Sequence, residues 1–168
     1  ATLLLDSPLA YSHNGRQLEV RGSPKGAGTF VIDTRAEVAM LSRNVVIEGA
    51  EGDPAGLGGD VKIFGPDARI VIKWCELRFL GRRGQLGRYP LHLHGAADGA
   101  TIEGVAVRDS YQRGIVLHCT NNAKISDTVV ASVYGFAFML EDGAEEGNVM
   151  RGNLAMDVLS AIPSTSTV

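Results

Sequence analysis

A chain of 168 residues is long enough for one domain with a real core. Its formal net charge of −3 gives no electrostatic reason to bind nucleic acid or an anionic membrane. A hydrophobic share of 45 % with 21 % charged residues excludes wholesale disorder, and no apolar run is long enough to span a bilayer.

The chain opens on a short apolar stretch, Thr2 to Leu5, with no basic residues ahead of it. It is too short for a secretory leader, so the sequence is expected to start inside a larger protein or after a removed signal. Short β-rich runs then follow at Gly28 to Asp33, Asn44 to Glu48, Asp60 to Phe64, Arg69 to Ile72 and Leu91 to His94. More come at Thr101 to Val107, Ile115 to His118, Lys124 to Val130 and Ala137 to Leu140. Gly, Asn, Asp or Pro punctuates nearly every gap, and the chain carries 21 glycines, well above the usual share of roughly 7 %. No segment holds the 3.6-residue apolar period of a helix over three turns. The tail, Pro163 to Val168, has the composition of a linker.

The runs repeat. A shift of 23 residues lays Ile102 on Ile125, Val107 on Val130, Tyr111 on Tyr134 and Leu117 on Leu140. A further copy starts at Asn148 and reaches Leu154. An earlier one runs from Ile72 through Leu77 to His94, lengthened by a loop from Arg82 to Arg88. Such a period suits a leucine-rich repeat or a β-solenoid; the leucine-rich consensus is absent, and a β-sandwich has no reason to repeat at a fixed spacing. The expectation is all-β: a right-handed parallel β-helix with rungs of roughly 22–30 residues. Residues 1–44 would form N-terminal strands and a cap, 45–160 the rungs, and 161–168 a tail, in one domain cut from a larger protein.

Strand alternation then places the polar residues. With the leucines of Leu91-His92-Leu93-His94 inside, both histidines face out, as does His118 after Leu117 and Glu141 after Leu140. The register stacks His94, His118 and Glu141 in one outward column with rungs about 4.8 Å apart. His92 and Asp142 flank it. Two imidazoles and a carboxylate at that spacing suit zinc, manganese or iron, and the acidic run from Glu141 to Glu146 offers oxygens to a hard cation such as calcium. Glu141 and Asp142 are candidates for acid/base work, while Glu145 and Glu146 read as solvated. Asp109 and Arg113 are expected to hold each other in place, with sugar-carboxylate binding by the Arg113 fork as the alternative. Cys75 and Cys119 are expected to be buried, reduced and structural. His13 and the charged residues from Asp33 to Asn44 read as end-capping ion pairs and turns.

Several strings are long and collinear with a known family. They are Arg35 to Val45, Gly59 to Ile63, Leu86 to His94, Tyr111 to Asn121 and Phe138 to Asn148. Together they resemble the family of the cell-migration-inducing hyaluronan-binding protein, the cell-surface hyaluronidase and fibrocystin, from about His13 to Leu154. The resemblance implies a β-helix that follows a G8 domain, and extracellular work on hyaluronan or similar glycans. It implies functional roles for His92, His94, His118, Glu141 and Asp142. The chain departs from the family at Asp60, Asp109, Phe136 and Arg151-Gly152, where relatives carry histidine or Asp-His. Its lack of vertebrate-style cysteines suggests a microbial source.

Three functions follow as expectations. The first is a secreted or cell-surface polysaccharide hydrolase, with Glu141, Asp142 and His118 catalytic. His92, Arg88, Arg113 and Asp109 would bind substrate, and His94, His118, Glu141 and Asp60 would hold a zinc, manganese or calcium ion. The second is a glycan-binding or adhesion module without turnover. The third is a purely structural solenoid segment.

Overall fold

The computed structural model describes residues 15–21, 29–95 and 99–160. His13, the Thr2–Leu5 stretch and the tail lie outside them. The chain divides into two compact units, Ala1–Val38 and Ala39–Val168, where sequence reading starts the rungs at residue 45. In the first unit, β1 (Gln17–Arg21) pairs antiparallel with β2 (Thr29–Asp33). The Thr34 hydroxyl closes this ribbon by accepting from Arg16 N and donating to Arg16 O.

The second unit winds. Its strands are β3 (Val45–Glu48), β4 (Val61–Phe64), β5 (Val71–Lys73), β6 (Cys75–Arg78), β7 (Leu91–His94), β8 (Thr101–Glu103) and β9 (Ala106–Arg108). They continue as β10 (Ile115–His118), β11 (Lys124–Ser126), β12 (Val129–Tyr134), β13 (Phe138–Leu140), β14 (Val149–Arg151) and β15 (Leu154–Leu159). Every third strand joins the same sheet. The three walls run β3-β6-β9-β12-β15, β4-β7-β10-β13 and β5-β8-β11-β14, and all their pairings are parallel. The unit is therefore the expected parallel β-helix. Ile102 pairs with Ile125, Val107 with Val130 and Leu117 with Leu140, the matches read from the repeat.

Single residues in the left-handed region make the corners. Trp74, Gly104, Asp127 and Gly152 occupy one corner in successive rungs, all with positive φ. They split the runs Thr101 to Val107 and Lys124 to Val130, each expected as one strand, into β8 and β9 and into β11 and β12. One left-handed residue turns the chain sharply while leaving the ladder on each side intact. Gly104 lies under the Trp74 ring, and a Cβ there would collide with it.

Inward side chains form the continuous apolar column. Leu91, Leu93, Ile102, Val107, Ile115 and Leu117 are fully buried at its centre. Outside the column, Glu76 is buried and takes both Nε and Nη2 of Arg108, at 2.8 and 2.7 Å, together with the Arg43 backbone N–H at 3.1 Å. Arg43 also donates from Nε to Gly104 O, 61 residues away, and from Nη1 to Met40 O and Ser42 O, the local turn bonds expected of this segment.

Rung length varies at one corner. Val61 pairs with Leu91, a step of 30 residues, but Leu91 pairs with Ile115, a step of 24. The extra length lies in two connections, 49–60 and 79–90, which bond to each other through Gly81 N to Gly59 O and Arg83 N to Gly56 O. Buried Tyr111 pins them by donating to Ala50 O and accepting from Asp53 N. The second connection carries Gly87, Arg88 and Tyr89 onto the wall described next.

Candidate metal centre

The wall β4-β7-β10-β13 presents the polar column. His94 pairs directly with His118, and Glu141 N donates to Leu117 O one rung further on, so the predicted stacking of His94, His118 and Glu141 stands. The ligand atoms that converge are different. Nitrogens of His92 and His118 and a Glu141 oxygen lie within 4.8 Å of one another. Glu141 Oε2 is 3.9 Å from His92 Nε2 and 3.5 Å from His118 Nδ1. His94 instead packs its ring on His118, with centroids 4.2 Å apart, and on Phe64 at 5.2 Å. His92 takes the place in the ligand set that the sequence assigned to His94.

His92 is held by the loop above it. Its Nδ1 lies 3.1 Å from Gly87 O, and the Tyr89 ring packs 4.9 Å away. A carbonyl only accepts, so Nδ1 carries the proton and Nε2 keeps its lone pair. Burial lowers the His92 pKa, so the ring stays neutral. Nε2 is buried and has no hydrogen-bond partner among the described residues. Two acceptors, Nε2 and a carboxylate oxygen, thus face each other across 3.9 Å.

Glu141 is fixed from its other oxygen. Oε1 accepts from Tyr89 Oη at 2.7 Å and from Arg113 Nη1 at 3.0 Å. The Arg113 guanidinium lies over the Tyr89 and Phe136 rings, at 5.3 and 5.4 Å. Oε2 is left to face the histidines. Asp142 stands 3.2 Å from His118 Nε2. A hydrogen bond from the Cys119 thiol, with another from its backbone N–H, lowers the Asp142 pKa and keeps the carboxylate ionised.

Other expected residues fall elsewhere. Asp60 pairs with Arg88 at 3.2 Å, so the proposed metal ligand and the proposed substrate-binding arginine neutralise each other. Asp109 pairs with its neighbour Arg108 and not with Arg113, because Arg113 turns to Glu141. Cys75 is buried as expected, but Cys119 is exposed: it occupies a left-handed corner after β10. Glu145 is also more than a solvated residue, since its Oε1 accepts from Asp142 N. Sequence reasoning missed Tyr89 and the Gly87 carbonyl. Their only signal was a position in the long loop just ahead of the His-x-His strand.

Two imidazole nitrogens and a carboxylate oxygen fit zinc, manganese or iron, and the unpartnered Nε2 is the group such an ion would satisfy. The Gly87 carbonyl, 3.1 Å from His92 Nδ1, would fix the ring with Nε2 turned toward such an ion. Similarity to other proteins runs along the same residues. The CEMIP beta-helix family model matches residues 56–167. Cell surface hyaluronidase of Danio rerio is 31 % identical over 168 residues, covering 85 % of this chain and 12 % of that protein. Fibrocystin-L of Mus musculus is 29 % identical over 197 residues, covering 93 % of this chain and 4 % of its own length. Protein rliB of Dictyostelium discoideum is 37 % identical over 124 residues, covering 72 % of this chain and 11 % of its own. The chain therefore spans only a small part of each of these curated relatives. Most of it lies inside the family match and winds as that description requires: the chain belongs to the CEMIP beta-helix family.

Proposed function

We propose that this chain is the β-helix segment of a secreted or cell-surface protein that acts on glycans such as hyaluronan. In this reading His92, His118 and Glu141 hold a divalent metal at the working centre. The observation that carries it is the pair of facing acceptors, His92 Nε2 and Glu141 Oε2, with His118 Nδ1 beside them. A cation between them satisfies all three. Two nitrogen donors favour zinc or manganese over calcium, which takes oxygens. The name of the relative from Danio rerio, cell surface hyaluronidase, supports the substrate class.

The metal, when bound, supplies Lewis acidity toward a sugar oxygen or a bound water. The chain's residues do the rest. Arg113 and Tyr89 hold Glu141 in its ionised, oriented form. His94 and His118, with rings 4.2 Å apart and tilted by 55°, form an aromatic surface beside it that can pack against a sugar ring. Asp142, kept ionised, accepts a proton from a water or hydroxyl, which suits a base better than the acid role also expected of it. A second reading, glycan binding without turnover, draws on the Asp60–Arg88 pair, which takes one candidate second carboxylate out of play.

Incubation with hyaluronan and with chondroitin, followed by size analysis, tests the reading. Chains shortened by wild type and left intact by Glu141→Gln and His118→Ala support the enzyme. Retention of glycan without shortening supports binding. Neither shortening nor retention removes the glycan assignment.

A further inference from the structure

His118 presents its two ring nitrogens to different neighbours. Nδ1 faces Glu141, in the centre described above, at 3.5 Å. Nε2 faces Asp142 Oδ1 at 3.2 Å, on the solvent side. The other oxygen of Asp142 lies 3.0 Å from Cys119 Sγ and 2.9 Å from Cys119 N. One ligand atom each from His118, Cys119 and Asp142 fall within 4.8 Å of one another. The corner itself is informative. Gly65 and Gly95 fill it in the two preceding rungs, with φ of +108° and +56°. Cys119 fills it next at φ +48°, a conformation that a residue with a Cβ avoids. The thiol is exposed, whereas Cys75, on another wall, is buried.

We propose that His118 Nε2, Cys119 Sγ and the Asp142 carboxylate form a second, solvent-facing metal site for a thiophilic divalent ion such as zinc. It goes beyond the glycan reading and shares with it the imidazole of His118 and the carboxylate of Asp142, which serves as a base there only while it does not hold this ion. Sulfur and nitrogen donors select zinc over calcium or magnesium. On binding to metal-free protein, the S–H bond breaks, the Sγ–metal bond forms and the thiol proton leaves to solvent. His118 Nε2 binds through its lone pair and Nδ1 keeps the ring proton; with both ions bound, that ring proton also leaves to solvent and the imidazolate bridges them. The ion carries the charge change, and no oxidation is involved. Three protein ligands leave a coordination position open for a water or another oxygen donor.

Cobalt(II) titrated into metal-free protein is the test. The expected result is a thiolate-to-cobalt charge-transfer band in the near ultraviolet, lost in Cys119→Ser and retained in His92→Ala. Asp142→Asn should weaken cobalt binding at this band at least tenfold. Zinc should slow the reaction of Cys119 with a thiol reagent at least tenfold. A missing band in wild type, or a band unchanged in Cys119→Ser, overturns the site. Metal lost with His92→Ala while no thiolate band is seen would leave the inner centre standing and remove the outer one. Circular dichroism of Cys119→Ser confirms that the helix still folds.

Discussion

His92 is the residue on which the proposed metal centre turns, and its burial makes a prediction about pH. In the unfolded chain its imidazole takes a proton near its ordinary value of about 6.5. Folded, burial holds the pKa lower. Stability from this residue is intact above about pH 6.5 and is lost as pH falls below it toward the folded value, because the unfolded state then binds more protons. Urea midpoints of chelator-treated protein should drop between pH 7.5 and 5.5, and His92→Asn should flatten that drop. The outward position of His92 was legible from strand alternation, and so was the stacking of His94, His118 and Glu141. Which histidine joins the ligand set was not. That depends on Gly87 and Tyr89, which a long loop brings over the wall and which no local pattern announces.

At the scale of the element, corners and ladders decide. Gly104 serves as a left-handed corner beneath Trp74. Gly104→Ala should cost at least about 2 kcal/mol, from backbone strain and from the collision with the ring. The double variant Gly104→Ala with Trp74→Ala should recover the collision part, as read from denaturant midpoints. Glu76 poses the opposite case, a buried carboxylate whose chief partner is Arg108. Arg108→Ala removes the two shortest of its bonds and leaves Arg78 Nη1 at 3.6 Å and the Arg43 N–H, and should cost about 2 kcal/mol. Strand positions were readable because apolar residues alternate. The breaks at Gly104 and Asp127 were not, since one left-handed residue leaves the alternation almost undisturbed. The pairings of Asp60 with Arg88 and of Asp109 with Arg108 were also hidden. They join long or charged side chains whose direction the spacing does not set.

For the whole molecule, each rung rests on its neighbours, so the fold was legible from self-similarity alone. The 23-residue register gave the true partners Ile102 and Ile125, Val107 and Val130, and Leu117 and Leu140, because inward residues must stack to fill a continuous core; Tyr134, laid on Tyr111, pairs instead with Leu159. The 30-residue steps of the earlier rungs were less visible, since their extra length stands outside that core. A central residue should therefore matter far more than a loop one. Leu93→Ala, at a fully buried position, should cost about 2–5 kcal/mol. Leu86→Ala, in the loop and 52 % exposed, should cost less than about 0.5 kcal/mol. Urea unfolding of both variants would check the contrast.

The winding matters for chemistry because it lays His92, His118 and Glu141, from three successive rungs, against one point. Elemental analysis of protein purified without a nickel column tests that most directly. With the outer site removed by Cys119→Ser, the protein should retain zinc or manganese after dialysis, and adding His92→Ala should lower that content at least tenfold while circular dichroism stays unchanged. Metal absent from the Cys119→Ser protein, or held equally by the folded double variant, would contradict the centre.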